Sequence, residues 1–180
     1  MQTGFPRFLV VSFIFAMWAC PAKSDTEVQG WGVVNMQGSI IDTACAIAVD
    51  SRDQTIAMGV VPLADIIRDG QGRTQPFSIK LINCVVKRPN AGTSDWKQFQ
   101  VTFDGDAEGP LFGVRGEASG VALQIIDTFG NVATPGTPLP LRDIEPGSMQ
   151  LNYTLKLVSN RHALKAGDYF SAIRFKLDYF

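Results

Sequence analysis

One histidine, three cysteines and no long apolar run beyond residue 19 are what this 180-residue chain has least of, and each scarcity removes a class of function. Nucleophilic triads usually need a histidine, and His162 sits between Arg161 and Ala163 in a segment that reads as a solvated turn. Neither a Gly-x-Ser-x-Gly elbow nor a His-Glu-x-x-His helix occurs. No catalytic residue is therefore assigned, and the chain is not read as an enzyme. Two mature cysteines and one histidine make no spaced ligand set, so no metal is expected. Asp104, Asp106 and Glu108 lack the remaining ligands of a calcium loop and read as a solvated hairpin tip. Gly70-Gln71-Gly72 follows no expected strand and opens no helix, which argues against a phosphate cradle and against any cofactor. Basic runs are absent too: 16 Lys and Arg stand against 17 Asp and Glu, so nucleic acid is a poor partner.

What the chain has in abundance is apolar and turn-forming residues. Its composition is 46% apolar, with 17 glycines and 10 prolines, which suits one all-β domain with a sizeable core. The single uninterrupted apolar stretch, Phe8 to Ala19 with only Ser12 inside it, follows the positive charge of Arg7. It is too short to span a bilayer and fits a secretory signal, so residues 1–24 are expected to be removed. Ala22-Lys23-Ser24 puts small residues where a signal peptidase needs them; cleavage before Asp25 is the first choice and after Ala22 the second. Trp18 is too bulky for lipidation at Cys20. Removing Arg7 and Lys23 takes 16 basic residues to 14 against 17 acidic, a mature charge of −3. Export also leaves Cys45 and Cys84 as an even pair in an oxidising compartment, where a disulfide is expected.

Alternation carries most of the remaining signal. Val28, Gly30, Gly32, Val34 and Met36 share one phase near the mature start, with two glycines that mark close backbone approach. A strand is expected to run on through Cys45 to Val49, with Asp50 to Asp53 breaking it and extended chain resuming from Thr55 to Val60. Pro62 to Asp69 is the one helical turn, ended by Gly70, and Gly70 to Arg73 reads as a polar loop. Phe77, Ile79 and Leu81 form a strand leading to Asn83-Cys84; Lys87 to Trp96 is a loop. Phe99, Val101 and Phe103 form another strand, as do Val121, Leu123 and Ile125, which turn at Gly130-Asn131. Met149, Leu151, Tyr153, Leu155 and Leu157 alternate with polar neighbours in a clear amphipathic strand. Within it, Asn152-Tyr153-Thr154 fits a glycosylation sequon but reads as strand chemistry. A last strand runs from Gly167 to the end of the sequence, with Tyr169, Ser171, Ile173, Phe175, Leu177 and Tyr179 in one phase. Nothing after it in the sequence covers its edge, and a bare edge of this kind aggregates unless something pairs with it.

Four stretches together carry a family resemblance. The alternating segment at 28–36, the run Gly38-Ser39-Ile40-Ile41-Asp42-Thr43-Ala44-Cys45, the pair Asn83-Cys84, and Gly167 with the penultimate Tyr179 occur in this order. In that order the chain resembles pilus subunits of the chaperone–usher pathway of Gram-negative bacteria, of the type 1 and P-pilus kind, from Val28 to Phe180. The resemblance implies an immunoglobulin-like β-sandwich lacking its final strand, completed by a strand from a chaperone or from the next subunit. It implies a donor extension over 25–37 (Val28, Gly30, Gly32, Val34, Met36) and a pilin domain over 38–180. It also implies a chaperone-pairing strand bearing Gly167, Tyr169, Ile173, Phe175, Leu177 and Tyr179. The implied partners are a periplasmic chaperone, an outer-membrane usher and neighbouring subunits, on the way to a cell-surface fimbrium. One domain's worth of chain leaves no room for a tip adhesin's receptor-binding domain, and the donor pattern argues against a tip position. A minor structural subunit is expected. Local likeness at Ala44-Cys45, Phe77 to Cys84, Val101 to Gly105 and Tyr153 to Leu155 makes a terminating or anchoring subunit at the pilus base the alternative. A free-standing secreted sandwich that binds a ligand is the alternative from another class.

Overall fold

The computed structural model describes residues 32–38, 42–88 and 92–180. The signal segment 1–24, the donor positions Val28 and Gly30, and Ser39 to Ile41 lie outside the described residues. By its contacts the chain divides into two units, residues 1–40 and 41–180. Within the first, residues 32–38 belong to no helix or strand, and Val33, Val34 and Met36 are exposed.

The second unit is built from antiparallel strands. Its larger sheet runs in the order β1 (Ala46–Ile47), β2 (Gln71–Cys84), β10 (Gly147–Ser159), β7 (Val121–Asp127), β5 (Leu111–Phe112) and β4 (Ala107–Glu108), with β8 (Val132–Ala133) also on β7. The smaller sheet is β12 (Arg174–Tyr179), β3 (Gln98–Asp104) and β9 (Arg142–Asp143), and a separate pair joins β6 (Arg115–Gly116) to β11 (Tyr169–Phe170). β10 is the spine because its alternation is the most regular in the chain: Leu151, Tyr153, Leu155 and Leu157 are buried while Asn152 faces water. Phe99, Val101 and Phe103 from β3 meet this face, and the Phe103 ring stands edge-on to Tyr153 at 5.0 Å. Two sheets closing over one apolar layer make the sandwich that the strand spacing implied.

Local chemistry explains the small elements. α2 (Leu63–Asp69) starts after Pro62 and ends where Gly70 takes φ 68° and returns its N–H to the Ile66 carbonyl. Asp127 shapes the turn before β8, its Oδ1 accepting from the backbone N–H groups of Phe129 and Asn131.

Four expectations need correction. Gly70 to Arg73 is largely not loop: β2 begins at Gln71, because Val158 and Lys156 of β10 supply partners for Gln71 and Thr74. Asp50 to Asp53 is mostly helical, as α1 (Val49–Arg52), and β1 covers only Ala46–Ile47 rather than reaching Val49. Thr55 to Val60 lies in no strand. The final strand is interrupted at Ser171 to Ile173, where Ser171 donates its hydroxyl to the Gly113 carbonyl at 2.8 Å.

Candidate functional site

The last strand is covered on one side only. β12 pairs antiparallel with β3 from Arg174↔Asp104 to Tyr179↔Phe99, and its other edge carries no strand among the described residues. Its inward phase shows the consequence. Tyr169, Ile173, Phe175, Leu177 and Tyr179 all pack against the core, yet none is fully buried. The equivalent phase of β10 is buried throughout Leu151 to Leu157. An apolar row of such regularity that stays half open marks a face awaiting cover.

Across from that row runs residues 55–61. The backbone there makes no backbone hydrogen bond among the described residues, although Met58 is buried and Ile56 and Val61 pack on the core. Between these two walls lie two adjoining cavities of about 780 and 500 Å³. They share Gln54, Ile56, Leu155 and Ile173, and so form one groove with a common waist. Its floor comes from the core itself: Leu123 and Leu157 under the larger part, Phe77, Phe103 and Ile125 under the smaller. An apolar trough flanked by two backbone stretches with unused hydrogen-bonding groups suits an extended chain.

Gly167 opens this wall for a steric reason. A Cβ there would lie 2.6 Å from the Cβ of Glu117 and 2.9 Å from the Ala118 nitrogen, so only glycine lets the chain pass so close to residues 117–118. Residues 117 and 118 hold it there by donating their N–H groups to the Asp168 carbonyl at 2.9 and 3.2 Å. At the other end, Tyr179 packs edge-on to Trp96 at 5.9 Å and donates its hydroxyl to the Cys45 carbonyl at 3.4 Å. Burial raises the pKa of that hydroxyl, which stays protonated as a donor. Cys45 in turn is disulfide-bonded to Cys84, with their Cα atoms 4.1 Å apart, so the bond pins the start of β1 to the end of β2.

Charged residues line the cavities only as a minority: Arg52, Asp53 and Arg174 in the smaller, Lys165 and Asp168 in the larger. Asp106 receives two bonds from the Arg115 guanidinium, which lowers its pKa; Asp104 pairs with Arg174 and Glu108 with His162 at 3.3 Å. Each carboxylate of that trio has its own partner rather than a shared centre. Of the donor residues, Gly32, Val34 and Met36 belong to the first unit and lie outside any strand. Sequence reasoning singled out the C-terminal strand as the pairing edge and read Thr55 to Val60 as extended chain, without giving 55–61 a role.

The chain is similar in sequence to fimbrial proteins and in fold to a solved pilus subunit. The PRS fimbrial minor pilin protein of Escherichia coli is 34% identical over 150 residues, covering 82% of this chain and 77% of the relative. The major MR/P fimbria protein of Proteus mirabilis is 33% identical over 157 residues, covering 84% and 85%. The crystal structure of the P pilus rod subunit PapA superposes with a TM-score of 0.67 at 18% identity, over 77% of this chain and all of that one. No protein-family model matches the chain.

Proposed function

This chain belongs to the fimbrial pilin family, and we propose that its groove receives an extended strand from a neighbouring molecule, making it a minor structural subunit of a surface pilus. The observation that carries this reading is the half-open row Tyr169 to Tyr179 beside the groove. A strand laid there would pair its backbone with the free edge of β12 and set alternate side chains over Leu155, Phe103 and Ile125. The immunoglobulin-like sandwich is thereby completed.

Two occupants use the groove in turn. A periplasmic chaperone lends a strand while the subunit is exported, and a neighbour's N-terminal extension replaces it at an outer-membrane usher. Residues 25–37 of this chain, with Val28, Gly30, Gly32, Val34 and Met36 in phase, are the extension offered to the next groove. The fibre is then held by backbone hydrogen bonds and apolar burial, with no chemistry asked of any side chain.

Ile173 tests this because it lines both cavities and is half-buried. Ile173→Asp places a carboxylate where a strand would bury it without a partner. Uptake of a donor peptide is expected to fall by roughly 100-fold or more. Phe129→Asp, at an exposed site that lines neither cavity, is expected to leave uptake unchanged. Equal uptake by both variants, measured by fluorescence anisotropy of a labelled peptide, would place the binding site elsewhere.

A further inference from the structure

Strand addition at β12 is safe only if no other edge competes for the same strand, and one lies close by. β1 covers β2 only at Leu81 and Ile82, and among the described residues no other strand lies on that edge. Residues two apart on a strand point their backbone groups the same way, so Lys80, Ser78 and Pro76 are the next to face it. The smaller cavity brings this edge within reach of an incoming strand, since Phe77 and Ile79 of β2 line it together with Ile173 and Phe175.

Each of the three positions is occupied in a different way. At Lys80 the carbonyl accepts from the Ala48 N–H at 2.9 Å, and the N–H donates to the Ser51 hydroxyl at 3.0 Å. Ser51 is turned inward to make that bond, being 3% exposed and the only buried polar residue on α1. At Ser78 the carbonyl accepts from the Gln54 amide at 3.0 Å, and the same amide reaches the Ser51 carbonyl at 3.4 Å. At position 76 proline has no N–H to offer. Side chains thus continue the ladder where β1 leaves it, and a proline ends it.

We propose that Ser51, Gln54 and Pro76 close the β2 edge against strand addition, so that an incoming strand enters the groove beside β12 rather than adding to β2. This rests on the groove being the strand-binding site. α1, which sequence periodicity did not reveal, gains a purpose: four residues of helix bring Ser51 and Gln54 back onto β2 in place of a longer β1. Blocked edges of this kind are how sheet proteins avoid unwanted pairing.

The test uses the full mature chain refolded with a synthetic peptide of residues 25–37, read by hydrogen exchange and light scattering. In the wild type the peptide is expected to protect amides of 174–179 and none of β2, at one peptide per chain. In Ser51→Ala/Gln54→Ala, self-association or a second peptide bound at β2 is expected to rise on the order of tenfold, with protection spreading to Lys80. Should the double variant fail to fold, the exposed Gln54→Ala carries the test with a smaller rise of the same kind. Gln54→Lys, which restores a donor to the Ser78 carbonyl, is expected to reverse it. Variants that stay monomeric, with peptide protection at β12 and none at β2, would overturn the proposal while leaving the groove reading intact. A wild type that takes up no peptide at β12 would overturn both.

Discussion

Replacing Cys84 with serine is expected to cost the subunit about 4 kcal/mol, the loop-closure contribution of a bond spanning 39 residues of sequence. The structure concentrates the damage at one place. β1 is two residues long and holds β2 through Ala46↔Ile82 and Ile47↔Leu81, too little pairing to persist without a clamp. Freeing Cys45 therefore releases β1 and, with it, α1 and the wall at 55–61. It also loosens the carbonyl that receives the Tyr179 hydroxyl. Against a typical domain stability of about 5–15 kcal/mol, the loss is enough to leave much of the protein unfolded at physiological temperature. Urea titration of the peptide-filled subunit, with and without reductant, checks this. The reduced wild type and Cys84→Ser should shift their midpoints together.

Phe103→Ala is expected to be as severe, at about 3–5 kcal/mol. Phe103 is 2% exposed and its ring meets Phe77 at 6.2 Å, Tyr153 at 5.0 Å and Phe175 at 6.4 Å, so it joins both sheets and the final strand. It also floors the smaller cavity. Truncation enlarges that cavity from below, which distinguishes this variant from an ordinary core lesion. Stability should fall in the filled and unfilled forms alike, and a donor peptide with a larger side chain over the new space should recover part of the loss. Thermal melts with a peptide series varying the inward residues measure both effects.

How much of this was readable from residues alone depends on who supplies each strand's partners. β10 and β3 declare themselves because apolar residues alternate with polar ones in the sequence, from Leu151 to Leu157 and from Phe99 to Phe103. α2 does so because Pro62 and Gly70 bracket it. The first residues of β2 do not, since Gln71 to Gln75 are polar and become strand only by pairing with β10. α1 is four residues long and leaves no period to detect. The groove was least legible of all. A half-open row and a fully buried one have the same alternation in sequence, and only the exposure of Ile173 and Phe175 in the folded chain tells them apart. Resemblance at Gly167 and Tyr179 singled out the last strand, whose outer edge is unpaired among the described residues; the wall at 55–61 came from the structure.

The measurement that bears most directly on the open groove is strand exchange. The subunit is co-expressed with its chaperone, and the purified complex is mixed with a donor peptide from a neighbouring subunit and run on a native gel. Peptide is expected to displace chaperone, with amides of 174–179 still protected in the product. A subunit that folds to a stable monomer without chaperone, and takes up no peptide along β12, would contradict the open groove.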